Sequence, residues 1–290
     1  IEKVFKVIVR EALKIGKKKL SDAGVANPDL DSQLILSHVL GMDRVRLFVY
    51  DDIKLTEEEI ERYDRLLGQR CRFVPVAYII GRKEFYGLNF YVKEGVLIPR
   101  PETEFVVEEA LKAACDLSNP VLADLCCGSG AISVAVAVNN KNVKVYAVDI
   151  SDTACEVARI NISAHNVQDR VSLLQGDLWE PLEERKVKGL DIIVSNPPYI
   201  PSHELHSLPS DVQNEPKLAL DGGTDGLEFY RRIISRAPEF LKAGGKIIFE
   251  IGWNQVSAVK DILENSGFTQ IEVRKDYAGF DRVISGILDF

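Results

Sequence analysis

The chain has 290 residues, of which 46% are hydrophobic and 28% charged, and it contains 20 glycines and 12 prolines. This composition argues against wholesale disorder, collagen-like repeats and coiled coil. No apolar run approaches the roughly 20 residues needed to cross a bilayer. The first stretch, Ile1 to Leu20, carries seven Lys/Arg and lacks the apolar run of a secretory signal. We therefore expect one or two globular domains with no membrane partner.

The five cysteines are odd in number and show no metal-ligand spacing. No Cys-x-x-Cys pair occurs, and the four histidines are not paired with cysteines. Cys126 and Cys127 are adjacent, a spacing that strains a disulfide. We expect a reduced, cytoplasmic protein without a metal site.

The net charge of −8 is unevenly distributed along the chain. Residues 1–95 hold 17 Lys/Arg and 15 Asp/Glu, a net charge of +2, so the remainder carries −10. Broad binding to DNA needs many cations that neutralise phosphates. The acidic larger part therefore predicts no stable nucleic-acid binding, while a protein partner is compatible with it.

Helical signals extend from the start of the chain to about Tyr78. Thr56 and Glu59 form a capping-box pattern, in which each side chain satisfies a free backbone N–H of the other residue. Residues 84–98 (EFYGLNFYVKEGVLI) then alternate between apolar and polar and contain two glycines, which predicts a hairpin. We predict a helical substrate-recognition domain, a β-hairpin linker and an α/β domain, with the bounds 1–80, 81–98 and 99–290.

From residue 96 onward the pattern alternates between strands and helices. Runs that are apolar along their whole length suit parallel strands covered on both faces. The predicted strands are 121–126, 144–150, 171–175, 190–195 and 246–251, and the predicted helices are 131–139, 152–165, 226–241 and 254–266. Two further strands, 269–275 and 282–288, are joined by a short turn, so they should form an antiparallel hairpin at the sheet edge. The prediction is a seven-stranded α/β fold.

A glycine turn follows the first predicted strand of the α/β part. Residues 124–130 (DLCCGSG) lead into a helix, and glycines there let a nucleotide approach the backbone and the free helix N–H groups. Asp149 ends the next strand, where a carboxylate can accept hydrogen bonds from both ribose hydroxyls. Asp177 and Leu178 end the third strand, where they can contact an adenine amino group and ring. The positions of the glycine turn and of these residues at the ends of successive strands predict a nucleotide-type cofactor.

The spacing of the glycine turn fits two cofactor classes. A dinucleotide fingerprint needs glycine at position 133, where the chain has Ser133. The methyltransferase pattern fits at Asp124, Gly128 and Gly130 but has Cys126 in place of its first glycine. Both classes stay open on this pattern alone, as does a plain tight turn without a cofactor.

The segment Asn196-Pro197-Pro198-Tyr199 directly follows the fourth predicted strand. Ligands of open α/β sheets bind at the carboxyl ends of strands, near a switch in strand order. The prolines supply no N–H, so the backbone presents carbonyls, to which the asparagine adds an acceptor. Such a site accepts both protons of a planar –NH₂ group, with Tyr199 as an aromatic wall. It would position a poorly nucleophilic nitrogen against an electrophilic carbon.

Together these residues resemble the HemK/PrmC family, the S-adenosylmethionine-dependent glutamine N5-methyltransferases of peptide-chain release factors. The resemblance covers nearly the whole chain. It is carried by residues 75–81 (PVAYIIG), 97–104 (LIPRPETE), the glycine turn, the 196–199 box, 222–227 (GGTDGL) and 276–282 (DYAGFDR). It implies a Rossmann-like class I methyltransferase domain and the cofactor S-adenosyl-L-methionine, with S-adenosyl-L-homocysteine as product. The implied acceptor is the glutamine of the Gly-Gly-Gln motif in release factors, which act in translation termination.

The resemblance also implies a role for each matching position. Asn196 and the carbonyl of Pro197 would hold the glutamine amide, with Pro198 and Tyr199 beside it. The helical domain would bind the release factor elsewhere, and we expect the enzyme to be a monomer. The implied cofactor contacts are Arg100, Thr103, Asp124, Cys126, Cys127, Gly128, Ser129, Gly130, Asp149, Asp177, Leu178 and Asn196.

The chain departs from the family pattern at Cys126, where the family has glycine, and at Leu178, where an aromatic residue is frequent. Two other functions stay open. A nucleic-acid adenine-N6 methyltransferase shares the Asn-Pro-Pro-Tyr box, but the acidic α/β part argues against it. A non-catalytic binding module on the same fold would have no physical need for Asn196 and Asp149.

Overall fold

The computed structural model describes residues 7–289, which separate into two units. The helical unit comprises the chain up to Arg82 together with Pro209–Asn214. The α/β unit comprises Lys83–Leu208 and the chain from Glu215 onward. Each unit has a hydrophobic core of its own. Among the helices of residues 7–289, none has the length and apolar character that a membrane crossing requires.

The described part of the helical unit contains the helices α1 (Val9–Asp22), α2 (Pro28–Leu40), α3 (Arg44–Val49), α4 (Glu57–Arg70) and α5 (Val76–Ile80). The predicted capping box is confirmed at the start of α4. The hydroxyl of Thr56 accepts the N–H of Glu59 at 3.2 Å, and the carboxylate of Glu59 accepts the N–H of Thr56 at 2.7 Å. The apolar faces of these helices meet in a core that includes the fully buried Leu36, Leu47 and Leu67.

A buried ion pair joins α2 and α4 inside the helical unit. The guanidinium of Arg70 donates to the carboxylate of Asp31 at 2.7 Å, and both residues are buried. Asp211, in the segment Pro209–Asn214, lies 3.7 Å from the same guanidinium. The side-chain amide of Asn214 donates to the carbonyl of Phe73 at 3.2 Å. These contacts explain why this distant segment belongs to the helical unit.

The α/β unit begins with a hairpin of β1 (Arg82–Phe85) and β2 (Leu88–Tyr91). Phe85 and Phe90 of the hairpin are buried in the α/β core and contact each other edge to face. The strands of the main sheet are β3 (Val121–Leu125), β4 (Lys144–Asp149), β5 (Val171–Gln175), β6 (Leu190–Ser195), β7 (Leu241–Glu250), β8 (Phe268–Lys275) and β9 (Asp281–Leu288).

The main sheet has seven strands in the order β5-β4-β3-β6-β7-β9-β8. Strands β3 to β7 pair in parallel, and β9 pairs antiparallel with both β7 and β8. The chain runs outward from β3 to β5 and then returns to β6 on the other side of β3. Since Leu125 lies opposite Ser195, the loops that begin at Cys126 and Asn196 leave the sheet side by side at this switch in strand order.

Helices cover both faces of the sheet. They are α6 (Glu104–Ala114), α7 (Ala131–Asn139), α8 (Asp152–Ala164), α9 (Glu180–Glu184), α10 (Glu228–Arg236) and α11 (Val256–Asn265). One face packs Ile192 and Val194 of β6 in a core shared with α6, α7 and α8. The other packs Ile193 in a core shared with α9, α10 and α11. The alternation along β6 shows a strand buried on both faces.

The structure confirms the predicted seven-stranded α/β fold and the terminal antiparallel hairpin. Most predicted elements of the α/β unit agree with the structure to within one or two residues, and the larger differences are the following. The helix predicted over 226–241 ends at Arg236, and a 3-10 turn at Ala237–Glu239 follows because Pro238 cannot continue the hydrogen-bond ladder. The predicted hairpin has its strands within 82–91, and neither α6 nor α9 was predicted. The paired part of β7 begins earlier than predicted, at Leu241.

Candidate active site

A cleft opens at the carboxyl ends of β3, β4 and β6, and all its lining residues belong to the α/β unit. It therefore lies at the switch in strand order, where the sequence places its candidate residues. Most of those residues line it. They are Arg100, Thr103, Cys126, Cys127, Gly128, Ser129, Asp149, Asp177, Leu178, Asn196 and Pro198. The other predicted residues are not among its lining residues: Asp124, Gly130, Pro197 and Tyr199.

The glycine turn is built by backbone hydrogen bonds between β3 and β4. The N–H of Cys127 donates to the carbonyl of Val148 at 3.0 Å, which fixes the turn against the neighbouring strand. Gly130 caps α7 in the left-handed conformation, with φ of 77°. A Cβ atom at Gly128 would meet nothing within 4 Å, so this glycine borders open space in the cleft. The turn thus leaves room for a ligand close to the backbone.

Asp149 connects the end of β4 to the glycine turn. One carboxylate oxygen accepts the N–H of Gly128 at 2.8 Å, and the other accepts the N–H of Ser151 at 2.9 Å. Burial raises the pKa of this carboxyl, and the backbone N–H groups oppose that rise. A carboxylate has further lone pairs, and Asp149 lines the cleft, so it can still accept hydrogen bonds from a ligand.

Asp124 lies beneath the turn and is 0% exposed. One of its oxygens accepts the N–H of Ser133 at 3.1 Å and its hydroxyl at 2.6 Å, which ties β3 to the first turn of α7. Its Oδ1 is buried and has no hydrogen-bond partner among residues 7–289. Burial raises the pKa of Asp124 to about 7. In the structure, Asp124 therefore supports the glycine turn.

Asp177 and Leu178 lie on the far side of the cleft. The guanidinium of Arg232, from α10, forms an ion pair with the carboxylate of Asp177. Leu178 is buried and has a φ of 49°, in the region that favours glycine. Cys126, the other departure from the family pattern, has a φ of 61°. Both departures therefore occupy left-handed backbone positions.

The Asn-Pro-Pro-Tyr box leaves β6 at the middle of the cleft. The side-chain N–H₂ of Asn196 donates to the hydroxyl oxygen of Thr103 at 3.1 Å. The Thr103 hydroxyl in turn donates to the carboxylate of Glu250 at 2.5 Å. With its nitrogen so engaged, Asn196 has its amide oxygen available as an acceptor.

Tyr199 supports the box from behind. Its hydroxyl donates to the other oxygen of Glu250 at 3.3 Å, and burial raises the pKa of this phenol. Its carbonyl accepts the side-chain N–H₂ of Gln255 at 2.9 Å. A Cβ atom at Gly222 would lie 2.7 Å from the Cα of Tyr199, and one at Gly226 would lie 2.4 Å from its carbonyl oxygen. The glycines of the 222–227 motif allow this close backbone approach.

Arg100 and Thr103 come from the segment between the hairpin and α6. Arg100 forms an ion pair with Glu215, whose other carboxylate oxygen accepts the N–H of Ile98 at 3.0 Å. This carboxylate therefore fixes the segment that borders the cleft. Thr103 is buried at the start of α6.

Several residues at or beside the cleft were not among the predicted site residues, and three of them bear on its chemistry or shape. Ile150 and Phe229 line the cleft, and Glu250 lies behind Thr103. A signal for Glu250 exists, because it is the only charged residue near the end of the apolar run predicted as a strand over 246–251. Ile150 directly follows the predicted ribose-binding acid. Phe229 has no local signal, since only packing of α10 brings it to the cleft.

Comparisons with known proteins agree with this arrangement. A family model for the PrmC N-terminal domain matches residues 11–81, and a model for the methyltransferase small domain matches residues 103–211. The fold is also similar to that of a methyltransferase from Pyrococcus furiosus, with a TM-score of 0.53 and 20% identity over 70% of this chain and 90% of that one. At this identity the likeness concerns the fold alone.

Two curated relatives cover nearly the full length of the chain. The release factor glutamine methyltransferase of Clostridium acetobutylicum is 45% identical over 89% of this chain and 90% of its own. The protein of the same name from Clostridium botulinum is 41% identical over 96% of this chain and 98% of its own. With this identity across both units, and with the cleft and its Asn-Pro-Pro-Tyr box in place, the chain belongs to the release factor glutamine methyltransferase family.

Proposed function

We propose that this chain methylates the side-chain amide nitrogen, N5, of the glutamine in the Gly-Gly-Gln motif of peptide-chain release factors. The methyl donor is S-adenosyl-L-methionine. The single observation that carries the proposal is the orientation of Asn196, whose amide nitrogen is engaged by Thr103. Its oxygen is left to accept a substrate N–H at the switch in strand order.

The residues of the cleft fit the proposed cofactor. Gly128 leaves open space beside the backbone, as a bound nucleoside requires. Asp149 supplies acceptors for ribose hydroxyls, while Leu178 and Ile150 supply apolar surface for the adenine ring. Cys127, Ser129 and Arg100 border the end at which the methionine part would lie. When bound, S-adenosylmethionine supplies an electrophilic methyl group on a sulfonium and leaves as S-adenosylhomocysteine.

The box positions the substrate amide. Asn196 Oδ1 and the carbonyl of Pro197 accept the two N–H bonds of the glutamine, and Tyr199 and Pro198 limit its plane. This orientation directs the nitrogen toward the methyl carbon for an in-line displacement without a covalent enzyme intermediate. The bound cofactor would supply the methyl group and would keep the electron pair of the C–S bond, and water would take the proton that the nitrogen loses.

We also propose that the three parts of the chain have different roles. Residues 1–80 bind the release factor away from its glutamine, residues 81–98 connect the domains, and residues 99–290 carry out the transfer. The acidic balance of the catalytic part disfavours stable nucleic-acid binding. We also propose that the chain acts in the cytoplasm as a monomer. The five cysteines are free, which suits a reducing compartment.

Mass spectrometry tests the proposal. The chain is incubated with S-adenosylmethionine and an intact release factor, and the Gly-Gly-Gln peptide is then analysed for one added methyl group. We expect the methyl group on the wild-type peptide and none on a Gly-Gly-Glu version of the release factor. The Asn196→Ala enzyme should lose methyl transfer by orders of magnitude while its affinity for the cofactor changes little. Methylation of adenine in DNA, with none of the release factor, would refute the proposal.

A further inference from the structure

We infer that Glu250 is a positioning residue that sets, through the hydroxyl of Thr103, the direction in which the side-chain amide of Asn196 faces. The inference rests on the proposed function and extends it to a residue that lies outside the cleft lining. Glu250 ends β7, next to the strand that carries the box, and is 1% exposed. It touches the cleft only through other side chains.

The direction of each hydrogen bond follows from the one before it. The Thr103 hydroxyl has a single hydrogen, and it points to the carboxylate of Glu250 at 2.5 Å. The hydroxyl oxygen can then only accept, so the group of Asn196 at 3.1 Å must be its N–H₂. An ionised carboxylate at the end of the chain thus forces Asn196 to present its oxygen to the substrate. A flipped amide would present N–H₂ to an N–H₂ and repel it.

The same carboxylate also holds the other end of the box. Its second oxygen accepts the hydroxyl of Tyr199 at 3.3 Å. The backbone carbonyl of Glu250 accepts the hydroxyl of the buried Tyr230 at 2.8 Å, which fixes the end of β7. A carboxylate is the side-chain group that can accept on two oxygens at once. Glu250 therefore positions both the residue that would bind the amide and the residue that would flank it.

The charge of Glu250 depends on its surroundings. Burial raises its pKa to about 7, whereas Arg282 lowers the pKa and Glu102 raises it. Arg282 is held in place by Asp276, whose carboxylate lies 3.1 Å from the guanidinium. This contact gives the 276–282 motif a role, because its last residue, Arg282, is a cation that lowers the pKa of Glu250. The arginine favours the ionised form that the relay requires.

The test compares isosteric variants at both ends of the relay in steady-state assays with intact release factor and cofactor. Thr103→Val keeps the shape of the side chain and removes the hydroxyl, so kcat should fall about tenfold or more, as expected for one lost hydrogen bond to a charged group. The affinity for S-adenosylmethionine should stay within about threefold, and Thr103→Ser should restore most of kcat.

Glu250→Gln is an independent second variant. A glutamine offers one acceptor oxygen in place of two, so Thr103 and Tyr199 can no longer each donate to an oxygen of their own. We expect kcat to fall about tenfold, with little change in cofactor affinity. Thermal unfolding of each variant, followed by circular dichroism, verifies that the protein used in the assays is folded.

A further comparison separates positioning from general packing. In the Asn196→Ala background, Thr103→Val should have no additional effect on the residual kcat, because the amide that it orients is gone. A second full loss there, or wild-type kcat in both Thr103→Val and Glu250→Gln, would overturn the inference alone. If the wild-type enzyme binds the cofactor but leaves the release factor unmethylated, the proposed function itself fails, and the inference fails with it.

Discussion

The carboxylate of Asp149 accepts the backbone N–H of Gly128 at 2.8 Å, across the ends of two neighbouring parallel strands. The residues are 21 positions apart in the chain, and the bond fixes the glycine turn relative to β4. The same side chain borders the cleft. This acid therefore shapes the turn, and under the proposed function it would also offer acceptors to the cofactor.

This double role predicts a large effect of Asp149→Ala on cofactor binding. Loss of charged acceptors for two hydroxyls, together with a freed N–H at Gly128, should weaken S-adenosylmethionine binding by roughly 10–100-fold. Isothermal titration calorimetry measures this change. Asp116→Ala, at an exposed acid outside the cleft, is the control and should bind as the wild type does. Unchanged affinity in Asp149→Ala would contradict the assigned role.

Gly222→Ala should disturb the Asn-Pro-Pro-Tyr box without touching the cofactor. The added Cβ would lie 2.7 Å from Cα and 2.8 Å from the carbonyl carbon of Tyr199, so the backbone of the box must shift. We expect a loss of about 1–3 kcal/mol in the free energy of unfolding, and a drop of about tenfold or more in kcat, since small displacements of positioned groups are costly. Urea unfolding and methyl-transfer assays measure the two effects.

Gly68→Ala provides the stability control for that experiment. Gly68 lies inside α4, and a Cβ there would meet nothing within 4 Å. Because alanine favours the helix over glycine, this variant should gain about 0.5–1 kcal/mol in stability. If Gly222→Ala were as stable and as active as the wild type, the close approach to Tyr199 would have no functional meaning.

The backbone conformation at Cys126 predicts that two substitutions there differ in their free energy of unfolding. Its φ of 61° places a side chain where glycine is favoured. Cys126→Ala keeps the Cβ atom and its strain, whereas Cys126→Gly removes both. The strain is about 1–2 kcal/mol and the entropy cost of glycine is smaller. The glycine variant should therefore be more stable than the alanine variant by about 0.5–1 kcal/mol in urea unfolding. The opposite order would show that this backbone position is unstrained.

Two buried carboxyls predict how stability depends on pH. Burial raises the pKa of Asp124 and of Glu250 to about 7. Between the unfolded pKa near 4 and this value, the folded chain holds more protons than the unfolded chain, so the free energy of unfolding falls as pH rises through that window. Asp124→Asn removes one of these titrations and should reduce the fall between about pH 5 and about pH 8 by on the order of 1–3 kcal/mol.

Urea unfolding at several pH values measures this slope for the wild type and the variant. Asn keeps the shape of Asp124 and its acceptor for Ser133, so the two proteins differ mainly in the ionisable proton. An identical slope in both would mean that Asp124 does not titrate in this range.

Local patterns were sufficient for much of the fold. Strands β3 to β6 lie in apolar runs, and the turn before Gly130 and the box after Ser195 follow their strands directly, so sequence periodicity located both ends of the site. The errors have two causes. Helix α6 was missed, and its buried face packs against the sheet in the α/β core. The end of α10 was placed too late although Pro238 gives a local signal there.

The sequence by itself determined which groups this protein has for its chemistry: an acid that ends β4, a glycine turn after β3 and an asparagine followed by two prolines after β6. These are properties of adjacent residues, and strand register then requires them to meet. Only the tertiary structure decided that Glu250 orients Asn196 through Thr103, because that relay joins residues 93 and 147 positions apart. Its direction depends on a buried charge, and no local pattern shows which carboxylate the fold removes from water.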